Sequence, residues 1–231
     1  MAELLPSGRA EPAASRPRSA RVNTLKMSVQ EALAWLRSPP AHHAKLAPAG
    51  QAVAVDDLLP DLLLFPPGTD LHSHPLVKQG VLVLQSKASC MPAHALAPAP
   101  GWQVVDACAA PGNKTTHLAA LMQNRGAILA CDRDERRLQR LRRNAELAGA
   151  SCIQAQLADF LTVDPEAPPY SHTQAVLLDP SCSGSGTAYS RGDHLLPSAA
   201  AAPRGAGAVE HTDARVEALA QFQEAVRGVG S

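Results

Sequence analysis

Asp106-Ala-Cys-Ala-Ala-Pro-Gly-Asn-Lys-Thr115 lies between an apolar run, Gln103–Ala107, and a stretch with helical spacing, Lys114–Met122, whose Leu118, Leu121 and Met122 share one face. Small residues at such a junction let the backbone turn sharply and come close to a ligand. The helix that follows aims its free N–H groups and the positive end of its dipole at the same place. In open α/β sheets ligands sit there, beyond the carboxyl ends of the strands. A phosphate loop would need G-x-x-x-x-G-K-[ST], but Gly112 is followed by Asn113, and no G-x-G-x-x-G is present either. The glycine alone suits a generic strand–turn–helix junction just as well.

Downstream, strand and helix patterns alternate. Ala127–Cys131 reads as a second strand, Arg136–Ala148 as a helix stopped by Gly149, Cys152–Ala155 as a third strand, and Ala175–Leu178 as a fourth, apolar on both faces. Continuous apolar strands separated by helices predict an α/β fold with a parallel sheet and right-handed crossovers, in the spatial order 3-2-1-4. Acids follow two of these strands. Asp132 can accept both hydrogen bonds of a ribose diol, and Asp159, with Phe160 beside it, can reach an adenine amine and flank its ring. Each acid alone is compatible with a solvated loop carboxylate. Three strand ends furnished in order point to an adenosine-type ligand. The fourth strand runs into Leu178-Asp-Pro-Ser-Cys-Ser-Gly-Ser-Gly186. Cys182 on this loop is either a reactive thiol or a small buried hydrophobe. Residues 184–214 lose periodicity, and Arg215–Val226 reads as a last helix.

Upstream, residues 1–20 are rich in Ala, Pro, Ser and Arg and read as a disordered leader. Their prolines and the acids Glu3 and Glu11 argue against a transit peptide. Ser28 can cap a helix that starts at Val29 and is stopped by Pro39. Residues 21–100, with the short apolar runs Leu62–Phe65 and Val81–Leu84 among prolines, form a small α+β accessory region, and residues 101–231 form the α/β domain. Aromatics make up 3% of the 231 residues, so the core must come from Leu, Val and Ala. The formal net charge of zero gives no global sign of a nucleic-acid partner, so only a local patch can supply one. Arg133, Arg136, Arg137, Arg140, Arg142 and Arg143 are the best such feature, although Asp134, Glu135 and Glu146 are interleaved with them. The five cysteines contain no C-x-x-C pair, and the odd count implies a reducing compartment. His72 and His74 lack a third ligand at suitable spacing, so no metal is expected. No apolar run reaches the ~20 residues of a membrane span.

Arg21-Val-Asn-Thr-Leu-Lys26, Gln85-Ser-Lys-Ala-Ser-Cys90, the 106–115 loop and the 178–186 loop resemble, in this order, the Sun-family RNA (cytosine-5) methyltransferases. Asn113 and the Pro-Ser-Cys-Ser-Gly-Ser-Gly loop carry a finer likeness to the fifth animal branch, whose members act on ribosomal RNA. Ser86 departs from the family pattern, which usually has Asp there. The resemblance implies a class I, Rossmann-like methyltransferase sheet and S-adenosylmethionine as cofactor. Cys108, Ala109, Ala110, Pro111, Gly112, Asn113 and Lys114 would cradle its methionine and ribose side. Asp132 and Arg137 would hold the adenosine, Asp159 would sit near the adenine, and Asp179 beneath the sulfonium. RNA, and ribosomal RNA in particular, is the implied partner, and the nucleolus the implied location.

The resemblance also implies a mechanism. A thiolate adds at carbon 6 of cytosine so that carbon 5 can take the methyl group. In this family the adding cysteine comes from a Thr-Cys motif after a fifth strand, and the cysteine matching Cys182 assists product release. No cysteine occurs between Ser183 and Ser231. The expected sheet is therefore incomplete. The chain reads either as an enzyme using Cys182 or as a catalytically silent truncated form that binds only cofactor or RNA.

Overall fold

The computed structural model describes residues 17–40, 53–180 and 213–229, with side chains in the last helix over 217–225. The elements in chain order are β1 (Arg18–Val22), α1 (Val29–Arg37), β2 (Ala54–Val55), β3 (Leu62–Phe65), α2 (Pro75–Lys78), β4 (Leu82–Leu84), α3 (Lys87–Leu96), β5 (Gln103–Asp106), α4 (Asn113–Leu121), β6 (Ala127–Asp132), α5 (Glu135–Ala148), β7 (Ile153–Leu157), β8 (Ala175–Leu177) and α6 (Asp213–Val229). They build two four-stranded sheets.

The first sheet has the order β2-β3-β1-β4 and is antiparallel throughout. Helix α1 starts where the sequence predicts. Ser28 Oγ accepts from the Glu31 N–H and the Glu31 carboxylate accepts from the Ser28 N–H, a reciprocal pair that satisfies two N-terminal donors. The central strand β1 corrects the predicted leader. Arg18, Ser19 and Ala20 pair with Phe65, Leu64 and Leu63, and Ala20 is fully buried.

The second sheet is parallel, in the order β7-β6-β5-β8, which is the predicted 3-2-1-4. On one face Val104, Leu118, Met122 and Ile128 pack with Ala145, Cys152 and Leu177, and the other face gathers Val105, Ala107, Leu129 and Phe160. Full burial of side chains such as Leu118, Met122 and Ile128 contributes about 1.5–3 kcal/mol each. Ala93 of α3 also lies in this core, so α3 packs with the parallel sheet although the sequence reading assigns it to the accessory region. Gly149 ends α5 in the left-handed region, at φ 69°, as its sequence position suggests.

A buried polar seam joins the two sheets. Arg21 is fully buried, and it donates from Nε to Gln85 Oε1 at 2.9 Å and from Nη2 to Thr116 Oγ1 at 3.3 Å. The Asp61 carboxylate meets His94 Nε2 at 2.7 Å and His117 Nε2 at 2.8 Å, and the two imidazoles stand edge to face with centroids 4.8 Å apart. Burial pushes the His117 imidazole down to about 4, so at neutral pH it is uncharged and donates its Nε2–H to Asp61. Burial also lowers Arg21, to about 10, which leaves it charged beside Asp61. Asn23 Nδ2 donates to Gly80 O at 3.0 Å and to Ala148 O at 2.8 Å, tying the first sheet to the end of α5. Gly80 has φ +69°, and a Cβ there would lie 2.5 Å from Leu147 O, so only glycine permits this approach.

Candidate cofactor site

The loop after β5 is fixed from below. Asp106 is buried, and its Oδ2 accepts from Thr115 Oγ1 at 2.7 Å. Burial raises its carboxyl to about 6, with the Asp179 charge adding to the rise and the Thr115 hydrogen bond opposing it. Ala109 N donates to Cys131 O at 2.9 Å and Gly112 N to Ala109 O at 2.8 Å, which folds the loop back onto β6. Gly112 opens α4 at φ +102°, where a Cβ would sit 3.1 Å from Leu141 Cγ. Ala109 and Ala110 pack on Leu138 and Leu141 of α5.

Two acids then face one cleft. Asp132, at the end of β6, accepts from Asp134 N on Oδ1 at 3.0 Å and from Ala110 N on Oδ2 at 3.2 Å, with Arg137 Nη2 3.4 Å away. Arg137 Nη2 also donates to Ala110 O at 2.6 Å, so one guanidinium locks the glycine loop to the acid. Asp159 caps the short 3-10 turn Phe160–Thr162 by accepting from Leu161 N at 3.0 Å. The cleft between them has Ala107, Cys108 and Phe160 as walls, and Phe222 of α6 as an outer wall. The Arg133 guanidinium lies over the Phe222 ring, 5.1 Å from its centroid, and so holds that wall by a cation–π contact.

Of the residues singled out in the sequence, Cys108, Asp132, Arg137 and Asp159 share this cleft. Ala109, Ala110 and Gly112 lie beneath it, in the packing. Pro111 is exposed and its carbonyl accepts from Asn144 Nδ2 at 2.8 Å, and Asn113 opens α4. Lys114 does not line the cleft. Its Nζ reaches Asp179 Oδ2 at 2.6 Å and Ser89 Oγ at 3.2 Å, and Asp179, just past β8, does not line the cleft either. Ser86, where the family pattern has Asp, caps α3 by accepting from Ser89 N, a role both residue types can fill. Cys182 lies outside the described residues. The described cysteines are held as thiols by burial, Cys90 at about 12 and Cys108 at about 11.

Sequence reading missed two things. Phe222 reaches the cleft from a helix far along the chain, and the only signal near it was that Arg215–Val226 reads as a helix. The Asp61, His94 and His117 group was missed as well, although its possible ligand atoms lie within 4.8 Å of one another. A metal-bound imidazole presents one nitrogen to the ion and donates from the other. His117 Nδ1 is buried without a partner among the described residues, so the hydrogen-bonded arrangement around Asp61 is the one this geometry satisfies. His74, considered above with His72, instead caps α2 by accepting from Leu76 N at 3.2 Å.

Comparison with known proteins matches both halves. Residues 16–85 fit the ferredoxin-like domain of NOL1/NOP2/Sun domain family member 5, and residues 93–195 fit the 16S rRNA methyltransferase RsmB/F family. The chain belongs to the Sun family of RNA (cytosine-5) methyltransferases. It is 51% identical over 183 residues to an Arabidopsis thaliana 25S rRNA (cytosine-C(5))-methyltransferase, covering 79% of this chain and 30% of that one. A mouse 28S rRNA (cytosine-C(5))-methyltransferase is 48% identical over 178 residues, covering 74% and 38%. The Sun-family chain thus spans about a third of these relatives. The crystal structure of NSun6 from Pyrococcus horikoshii, solved with SFG, superposes with a TM-score of 0.70 over 94% of this chain and 73% of that one, and at 18% identity it shows the shared class I fold. Among the described residues no helix is long and apolar enough to cross a membrane.

Proposed function

We propose that this chain is the cofactor-binding part of an enzyme that transfers a methyl group from S-adenosylmethionine to carbon 5 of cytosine in RNA, with ribosomal RNA as substrate and the nucleolus as its place of work. The observation that carries the reading is the furnishing of one cleft, in a Sun-family chain, by acids at consecutive strand ends above a glycine loop.

The residues fit the cofactor's adenosine. Asp132 retains lone pairs toward the cleft after accepting two backbone N–H bonds, which suits a ribose diol. Asp159 would accept from an adenine amine, and Phe160 and Phe222 would flank the ring. The cofactor, when bound, supplies an electrophilic methyl group on a sulfonium. Asp179 and Lys114 stand as an ion pair at the other end of the glycine loop. There Asp179 would face that positive centre, and Lys114 would neutralise the acid when the site is empty. Of the five cysteines in this sequence, Cys182 is the one left to take part in thiol chemistry, because burial holds Cys90, Cys108, Cys131 and Cys152 as thiols.

The test is transfer of labelled methyl groups to cytosine-containing ribosomal RNA by the purified chain, with Cys182→Ser and Asp132→Ala beside it. Incorporation at carbon 5 that Asp132→Ala abolishes supports the proposal. Cofactor binding without any incorporation supports the silent-form reading instead.

A further inference from the structure

Helix α5 carries five arginines and two glutamates over Glu135–Ala148, and the structure sorts the arginines into two groups. Arg137 is held by Ala110 O and Asp132, and Arg142 Nη1 pairs with Glu135 Oε1 at 2.8 Å. Arg136, Arg140 and Arg143 are exposed, and no guanidinium of the three makes a hydrogen bond or salt bridge among the described residues, Asp134 lying in electrostatic reach of Arg136 alone among them. Their spacing of four and three residues stacks them along one ridge. This ridge points away from the buried face made by Leu138, Leu141 and Ala145, while Glu135 and Glu146 fall on the flank with the paired Arg142. At 1.5 Å per residue the ridge is about 10 Å long.

A face of arginines that served only its own helix would pair with that helix's acids, and on this face Arg142 alone does so, with Glu135 two turns back. The other three form a local positive strip on a chain whose formal net charge is zero. We infer that the Arg136–Arg140–Arg143 ridge docks the phosphate backbone of the RNA strand, an inference that rests on the RNA substrate proposed above. Planar guanidinium forks match phosphate oxygens two at a time, and the length of the ridge suits roughly three consecutive phosphates. The ridge begins one residue before Arg137, so a strand lying on it starts at the rim of the cofactor cleft. Backbone contacts of this kind set position and register, not base choice.

The test is fluorescence anisotropy of a single-stranded, cytosine-containing ribosomal RNA oligonucleotide over a salt series. Relative to the wild-type chain, R136Q/R140Q/R143Q is expected to bind at least about tenfold more weakly at low salt. The slope of log affinity against log salt should fall by about 2. Arg142→Gln, which removes a paired arginine of the same helix, should bind as wild type does. An unchanged cofactor affinity in the triple variant shows that the fold survives. A triple variant with wild-type affinity and slope overturns the ridge alone. A wild-type chain that binds no RNA overturns it together with the substrate reading. An equal loss in Arg142→Gln overturns it as well.

Discussion

The seam between the two sheets and the cleft at the end of the parallel sheet use the same residue types to opposite ends. In the seam, Asp61 is surrounded. Two imidazoles occupy its oxygens, Arg21 stands by, and His117 and Arg21 are fully buried while His94 keeps a partly exposed edge. In the cleft, Asp132 and Asp159 take only backbone N–H bonds and one long arginine contact, and they keep acceptor capacity toward open space. A carboxylate whose partners are all internal contributes to fold specificity and stability. One that is half satisfied at a strand end is poised for a ligand. Burial alone does not separate the two, since Asp61 and Asp132 are nearly equally buried, at 6% and 5% exposure.

The sharpest way to break the comparison is Asp61→Ala. It strands the buried Arg21 charge and removes the acceptor of two imidazoles, so the expected loss is about 3–5 kcal/mol in chemical denaturation. A loss below about 1 kcal/mol would mean the seam is as dispensable as a surface pair. The same region should respond to acid. With its folded value near 4, His117 contributes stability that is fully present above its ordinary value of 6.5 and disappears as pH falls through 4. Asp106, raised to about 6, acts in the opposite sense: its contribution is present at low pH and lost as pH rises through 6. The difference between wild type and His117→Asn therefore isolates the imidazole. Wild type should lose on the order of 1–3 kcal/mol more than the variant between pH 6.5 and 4. Parallel pH profiles would place the imidazole outside this linkage.

On the cleft side, Asp132→Ala should weaken S-adenosylmethionine binding by ~1–3 kcal/mol, measured by calorimetry, because two ribose hydroxyls lose their acceptor. Unchanged affinity would remove the ribose role. The smallest effect belongs to Phe222→Ala, which takes away one wall and its cation–π contact. The expected cost in cofactor affinity is ~0.5–1 kcal/mol, with no change in the melting of the seam.

The parallel half was legible because its signals are local. Apolar runs, a loop of small residues and a glycine stop all lie within a few residues of the features they specify, and strands β5 to β8 appear where those runs stand. Strand β1 was not legible. Ala20 and Val22 point inward as a strand should, but Arg21 between them is buried too, and its partners Gln85 and Thr116 are remote in sequence. Ala20-Arg21-Val22 does alternate, but two apolar residues beside Arg18 and Ser19 are too few to mark a strand, and nothing local tells that Arg21 is buried. For the site, Asp132 and Asp159 could be read because each follows a recognisable strand, whereas Cys108 and Arg137 entered only through the family resemblance. Lys114 could be placed near the loop but not aimed, since its direction depends on Asp179 arriving from another strand. Asp61, His94 and His117 come from three separate elements with no shared spacing, so no pattern announced them.

Helix α5 is pinned at both ends. Arg137 fastens its first turn to the glycine loop, and Ala148 at its last turn accepts from Asn23, which belongs with the antiparallel sheet. Mechanically this is a rod of roughly 21 Å, at 1.5 Å per residue, spanning the two halves of the molecule. A hinge that swung one sheet against the other by about 5° would displace the far end of such a rod by roughly 2 Å and drag the cofactor loop with it. Bending at that joint and keeping the cleft intact are therefore incompatible. On the proposed function, the angle at which a strand of RNA would meet the cleft is set when the chain folds, with the antiparallel sheet as a fixed gauge for that angle and not as a moving jaw.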